Sequence, residues 1–156
     1  MTKSVPDTLI QQGTAVLLRS PEHPPAAVFF RGLSGSGRSD LAFRLIERGH
    51  KLICDDQVSF TNRKGEIYAG AVEANAGLLE VRGVGLVKYP YEVVPHPLRL
   101  IVDLVRRDDV PRMPDWNTTD ILGVAIPTLA LHAFDASVAV KVTKAMEIAH
   151  KPDLRV

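Results

Sequence analysis

Residues 26–39 read AAVFFRGLSGSGRS, and this stretch decides the fold. Its apolar, partly aromatic beginning is typical of a buried strand, and the amphipathic segment 40–48, followed by Gly49, has the spacing of a helix. Between them, segment 32–39 has the form G-x-x-x-x-G, a basic residue and a serine. A strand, such a loop and a helix surround a phosphate with backbone N–H groups. The predicted phosphate-binding residues are Gly32, Leu33, Ser34, Gly35, Ser36, Gly37, Arg38 and Ser39.

Ser39 directly follows the basic residue of this loop. In that position a hydroxyl coordinates a magnesium ion that bridges nucleotide phosphates, so Mg²⁺ and ATP or GTP are the expected ligands. The alternative for segment 32–39 is a flexible glycine–serine connection. The strand before it and the helix after it favour the phosphate loop.

Arg38 stands where loops of this form usually carry a lysine. Arginine keeps the positive charge but replaces a compact ammonium by a longer, planar fork. Because phosphoryl transfer depends on positioning, an error of about 1 Å costs roughly 100-fold in rate. Arg38 therefore supports phosphate binding more firmly than it supports catalysis.

Hydrophobic patterning predicts the elements around the loop. One hairpin joins strands at 13–18 and 26–30 across the proline-rich stretch 20–25, and a second joins 58–60 and 66–69. The other predicted elements are strands at 51–54 and 98–105, one or two strands within 121–131 interrupted at Pro127, and a terminal helix at 136–150. Together they predict one α/β domain, residues 1–156, with a mixed central sheet, β-hairpins and flanking helices.

The composition is that of an ordinary globular chain of 156 residues, with a formal net charge of +1. This charge gives no attraction to nucleic acid or to an anionic membrane, and no apolar run approaches the roughly 20 residues of a membrane helix. Cys54 is the only cysteine, so an internal disulfide is excluded. The N-terminus lacks the pattern of a secretory signal. We expect a soluble, cytoplasmic protein without a nucleic-acid or membrane partner.

Two longer stretches are more specific than the loop alone. Residues 32–58 read GLSGSGRSDLAFRLIERGHKLICDDQV and residues 78–90 read LLEVRGVGLVKYP. With the double aspartate and the EVRGVG signature in this order, the chain from 13 to 149 resembles the catalytic domain of the HPr kinase/phosphorylase family, in its short form. The resemblance implies a P-loop kinase-like fold and a Mg- and ATP-dependent kinase for a serine of the phosphocarrier HPr. It also implies a phosphorolytic reverse reaction in many members and a homo-oligomer, the hexamer.

The resemblance assigns roles by matching position. Asp56 corresponds to the proton acceptor of phosphorylation, and Asp55 supports the metal or its orientation. Glu80 corresponds to a second magnesium-linked position, where a hard cation prefers oxygen ligands, and Arg82 lies close to it. From the residues alone, the alternatives are that the aspartates form a polar turn and that Glu80 and Arg82 form an exposed surface pair.

Three positions bear on catalytic competence. Arg112 aligns with a catalytic arginine that stabilises phosphoryl charge, although an ordinary solvated arginine is an open alternative. Gln12 stands at the position of the family's catalytic histidine, and glutamine holds no titratable proton. The family's later glycine–arginine motif is replaced by residues 126–135, which favours the kinase reaction over its reverse. His23, in the proline-rich stretch, is expected to be a surface-loop histidine without function.

Three hypotheses follow. The leading one is an HPr-type serine kinase with phosphates on the loop, metal on Ser39 and Glu80, and Asp56 as base. The second is a catalytically degenerate nucleotide-binding, regulatory or partner-binding module, motivated by Gln12 and Arg38. The third is a small-molecule kinase, because the loop alone does not distinguish acceptors.

Overall fold

A computed structural model describes residues 7–156. Two α-helices and eleven β-strands lie within them. The helices are α1 (Arg38–Ile46) and α2 (Val138–His150). The strands are β1 (Thr8–Gln12), β2 (Thr14–Ser20), β3 (His23–Arg31), β4 (Lys51–Cys54), β5 (Gln57–Arg63), β6 (Glu66–Gly70), β7 (Leu78–Val81), β8 (Gly85–Lys88), β9 (His96–Leu104), β10 (Asn117–Ile121) and β11 (Val124–Leu131). Short 3-10 helices cover Glu73–Asn75, Arg107–Asp109 and Pro152–Leu154.

Nine strands form one mixed sheet, as predicted. Its main order is β1-β5-β6-β9-β3-β2-β4, and β10 and β11 are attached through β9. Strand β9 pairs with β6 at its beginning and with β11 at its end, so both neighbours occupy one edge of β9. The β3–β9 and β9–β11 pairs are parallel. The phosphate loop follows β3 and therefore leaves the sheet at the carboxyl ends of its parallel strands, where ligands bind in sheets of this kind.

Alternation along β2 and β3 divides the apolar residues between two cores. Val28 and Phe30 face the helices and pack with Leu41 and Val142 in one buried cluster. Phe29 points to the opposite face and packs edge-on against Phe60, with ring centroids 4.8 Å apart. Successive strand residues point to opposite faces, so a strand buried on both sides is apolar throughout. This explains the unbroken apolar run before the loop.

Prolines interrupt the strands less than the sequence predicts. Strand β3 already begins at His23, because Pro24 and Pro25 lie at a register shift and precede the pairing with β9, which starts at Ala27. Strand β11 likewise continues through Pro127, which precedes the first β9-paired residue, and the predicted interruption is wrong. At both places the proline lies outside the pairing with β9, so no hydrogen bond between the parallel strands is lost.

The sequence patterns also missed β1, β10 and the β7–β8 hairpin. Residues 1–6 of the predicted domain lie outside the described residues. Among residues 7–156, no helix has the length and the apolar character required to cross a membrane.

Three histidines meet beside α2. His23 is only 8% exposed, and its ring stacks on His150 with centroids 4.7 Å apart, so the surface-loop prediction for His23 is wrong. His50 accepts a hydrogen bond at Nδ1 from the Arg19 backbone N–H, at 3.0 Å. Burial, followed by the positive charge of Arg19 and the proximity of His23 and Arg48, lowers the pKa of His50. The bond accepted at Nδ1 fits a neutral imidazole whose proton is on Nε2.

We expect acid to destabilise the protein through His50. Because the folded-state pKa lies below the unfolded value of about 6.5, the stabilisation is present above that pH and is lost as pH falls below it. The urea midpoint should be lower at pH 5.5 than at pH 7.5. His50→Asn keeps an acceptor near the Nδ1 position but does not titrate, so it should reduce this pH dependence. Identical pH profiles for the two proteins would contradict this assignment.

Candidate functional site

The loop between β3 and α1 is shaped by glycines. Gly37 adopts a left-handed φ of 98° immediately before the helix. A Cβ at Gly37 would lie 2.6 Å from Ala133 Cβ and 2.9 Å from Phe134 Cζ, so any side chain would collide with the segment after β11. Only glycine combines this conformation with this close approach. Ser36 N–H closes the loop by donating to Leu33 O at 2.9 Å.

The loop has the donors that a phosphate requires. No described side chain caps the N-terminus of α1, so the first N–H groups of the helix remain available to a ligand. The hydroxyl Oγ of Ser36 is buried and has no hydrogen-bond partner within residues 7–156. An unsatisfied hydroxyl and free N–H groups at a helix N-terminus fit an anion with several acceptor oxygens.

A cleft of about 710 Å³ lies over the loop. It brings together most of the predicted site residues, which come from four separate parts of the chain. Those lining it are Gln12, Ser34, Gly35, Ser36, Gly37, Arg38, Ser39, Asp55, Asp56, Glu80 and Arg82. Of the other predicted residues, Gly32 and Leu33 belong to the beginning of the loop, and Arg112 is exposed on the segment before β10, outside this lining.

Asp55 connects the loop to the sheet. Its carboxylate is buried, with 7% exposure, and accepts hydrogen bonds from Ser39 Oγ at 2.9 Å and from Thr14 Oγ1 at 2.7 Å. Thr14 is fully buried in β2. A buried carboxylate requires such donors, because its removal from water is otherwise costly. Ser39 is thus held at the start of α1 by a residue that follows β4.

Asp56 has an unusual backbone. Its φ is 68°, and the Gln57 N–H donates to Asp55 O at 2.8 Å across it, which makes a γ-turn. This turn is strained for a residue with a side chain and costs about 1–3 kcal/mol. A second bond, from Gly13 N–H to Asp56 O at 3.0 Å, fixes the turn. The Asp56 side chain is exposed in the cleft, in contrast to its buried neighbour.

Gln12 reaches the cleft from the end of β1. It pairs with Gln57 in the antiparallel β1–β5 register, so it lies beside the turn at Asp56. Gly13, which follows it, could carry no side chain, because a Cβ there would lie 2.3 Å from Cε1 of Phe29. The backbone around Gln12 is therefore tightly constrained. Its amide supplies hydrogen bonds but no titratable proton.

Arg38 contacts the loop itself. Its Nη1 donates to Gly32 O at 3.0 Å, so the guanidinium ties the last part of the loop to the first. Gly32 is closely packed, because a Cβ there would lie 2.4 Å from Ser36 Oγ. Arginine has five N–H donors, and this contact uses one of them. Arg38 also lines the cleft, so its positive charge is available to a ligand bound there.

The oxygen donors of the cleft fit magnesium bound together with phosphates. Within residues 7–156, no group of three or more histidine, cysteine or acidic side chains is arranged to hold a metal. Mg²⁺ is usually held by one or two carboxylates, with substrate phosphates and water completing its octahedron. Ser39, Asp55 and Glu80 line the cleft and would supply the protein ligands. Glu80 lies on β7, and Arg82 follows in the turn to β8.

Thr14 is a functional candidate that the sequence patterns did not single out. A threonine within an apolar strand is common, and its partner Asp55 is 41 residues away. We expect Thr14→Val to leave the buried carboxylate one donor short and to lower the free energy of unfolding by about 1–3 kcal/mol. Equilibrium unfolding in urea measures this change. Thr118→Val, at an exposed position of β10, is the matched control, and equal losses in both variants would refute the role of Thr14.

Known proteins resemble this chain over most of its length. The family model described as HPr Serine kinase C-terminal domain matches residues 25–151. The HPr kinase/phosphorylase of Chloroherpeton thalassium is 34% identical over 116 residues, which cover 67% of this chain and 34% of that protein. That of Burkholderia cenocepacia is 38% identical over 114 residues, covering 67% and 35%. The chain spans about a third of the length of these curated relatives.

A solved structure confirms the P-loop kinase-like fold. The Hpr(Ser) kinase/phosphatase from Coxiella burnetii superposes with a TM-score of 0.76 at 20% identity, covering 95% of this chain and 99% of that chain. The match of the family model confirms the predicted resemblance to the HPr kinase/phosphorylase family. The loop, the double aspartate and the EVRGVG hairpin are arranged around one cleft, and the chain belongs to the HPr serine kinase C-terminal domain family.

Proposed function

We propose that this protein is a Mg- and ATP-dependent kinase that phosphorylates a serine of HPr or of an HPr-like protein. The observation that carries the proposal is the exposed carboxylate of Asp56, held by a strained turn in the same cleft as the phosphate loop. Strained backbone that is fixed from both sides is typical of catalytic positions. The family to which the chain belongs supports a protein acceptor.

The residues of the cleft have different roles in the proposed reaction. Backbone N–H groups of segment 32–39 bind the ATP phosphates, and Arg38 adds positive charge where negative charge develops. Bound Mg²⁺, held by Ser39, Asp55 and Glu80, would neutralise phosphate charge. Asp56 accepts the proton of the serine hydroxyl as the new oxygen–phosphorus bond forms and the bond to ADP breaks. The products are ADP and a phosphoserine.

The finer features of the proposal follow from the family resemblance. The kinase reaction is proposed as the main activity, and the phosphorolytic reverse reaction as weak, because residues 126–135 replace the family's later glycine–arginine motif. Arg112 is proposed as an additional catalytic arginine; its exposed position outside the cleft requires that it approach the acceptor complex. We further propose that the protein forms a homo-oligomer, the hexamer of the family, and that it is cytoplasmic.

We expect Asp56→Asn to lower phosphorylation of HPr by roughly 100- to 10,000-fold, the usual contribution of a general base. Asparagine tolerates a positive φ, so the turn and ATP affinity should be retained. Labelled ATP with purified HPr measures transfer, and calorimetry measures ATP binding. Asp108→Asn, at an exposed site outside the cleft, is the control. Undiminished transfer by the Asp56 variant would exclude this carboxylate as the base.

A second function is favoured by the Arg38 contact. Because its guanidinium donates to Gly32 O at 3.0 Å, the charge is directed at the loop backbone as well as at the ligand. Together with the loss of a titratable group at Gln12, this geometry suits a nucleotide-binding regulatory or partner-binding module that no longer transfers phosphate.

The double variant Arg38→Lys, Gln12→His separates the two functions. For the kinase, we expect the parent to produce phosphoserine on HPr and the double variant to be faster, since positioning errors of about 1 Å cost roughly 100-fold. Both proteins should bind ATP. A parent that binds ATP without transfer, and gains activity only in the double variant, would establish the module and exclude the kinase. Each single variant identifies which position limits transfer.

A further inference from the structure

Phe134 has no role in the phosphate chemistry, yet its ring lies in the cleft. The residue is 55% exposed and shares the cleft lining with the phosphate loop. It belongs to the segment between β11 and α2 and approaches the loop at Gly37. Aromatic surface that lies open within a cleft is available to a ligand.

The segment that carries Phe134 is fixed from several sides. His132 donates from Nδ1 to Val105 O at 2.9 Å, and its ring meets the Phe134 ring at an interplanar angle of 72° with centroids 5.8 Å apart. Arg44 donates to the carbonyl oxygen of Ala133. The ring also rests against Gly37, where a Cβ would come within 2.9 Å of its Cζ. Phe134 is therefore positioned before any ligand binds.

The position of the ring relative to the loop indicates what it contacts. Gly37 touches Phe134, whereas Ser39 is bonded to Asp55. Gly37 immediately precedes α1 and Ser39 lies in its first turn, so the ring and the aspartates contact different residues at the end of the loop. A triphosphate that extends across the loop, with its reacting end at the aspartates, directs its nucleoside end toward Phe134.

We propose that Phe134 is the platform on which the nucleobase stacks. The proposal rests on the nucleotide-binding function above and adds to it the residue that holds the base. The other apolar residues of the cleft suit this role less well. Phe43 is partly buried against the helix-side core, and Leu86, which is 67% exposed, has no aromatic face.

Stacking also has a consequence for specificity. Every base has a π-face, so an aromatic platform binds different bases with similar strength. We therefore expect ATP and GTP to bind with similar affinities. Inorganic tripolyphosphate, which lacks a base, should bind more weakly than either.

Calorimetry with Mg²⁺ and three probes tests the platform: ATP, GTP and inorganic tripolyphosphate. We expect Phe134→Ala to weaken ATP and GTP about 10-fold, equivalent to about 1.4 kcal/mol, and to change tripolyphosphate less than twofold. Phe134→Leu keeps an apolar side chain against Gly37 and should weaken the nucleotides in the same way. Met113→Ala, at a residue 84% exposed outside the cleft lining, is the matched control.

Three results would overturn the proposal that the nucleobase stacks on Phe134. An equal loss of tripolyphosphate and ATP affinity in both Phe134 variants would mean that the ring only supports the loop. Unchanged ATP affinity in both variants would place the base elsewhere and leave the proposed nucleotide-binding function intact. A parent protein that binds neither ATP nor tripolyphosphate would overturn the proposed function, and the platform with it.

Discussion

The burial of the Asp55 carboxylate is the constraint on which the cleft depends. A carboxylate withdrawn from water requires hydrogen-bond donors, and here two hydroxyls supply them, Thr14 Oγ1 from β2 and Ser39 Oγ from α1. These bonds join the strand that enters the core, the helix that carries the loop and the end of β4. Because Asp55 is held in this way, its neighbour Asp56 is turned outward into the cleft. One turn thus places Asp55 in the interior and Asp56 in the cleft.

The strain at Asp56 is supported by the surrounding backbone. Gly13 N–H bonds to the Asp56 carbonyl at 3.0 Å, and the β1–β5 pairing places Gln12 opposite Gln57. Strain of this size persists only where neighbouring interactions outweigh it. The motif around Gly13 consequently has a structural function that is independent of the residue before it. The side chain of Gln12 can therefore determine the chemistry available in the cleft without altering the backbone frame that holds Asp56.

Local patterns predicted the parts of this protein that depend on short segments. The loop, α1 and the hairpin β5–β6 follow from glycine spacing and apolar periodicity within about ten residues. Strand β1 was missed because segment 8–12 is half exposed and becomes a strand only through its pairing with β5, some fifty positions away. Thr14 gave no signal because its partner Asp55 is distant in sequence. Phe134 could not be recognised because a sequence does not show that an aromatic ring stays exposed inside a cleft.

The hydrogen bonds already present in the loop are compatible with the ligands proposed for it. A hydroxyl has one donor and two lone pairs, so Ser39 can donate to Asp55 and still offer its oxygen to a cation. Arg38 uses one of five donors on Gly32 O, and the rest of its planar fork remains for a phosphate. A lysine ammonium, with three donors on one atom, would concentrate its charge at a single point. Arginine in place of lysine therefore spreads the charge over a planar group that is held by Gly32 O. We expect this difference to affect phosphoryl transfer more than phosphate binding.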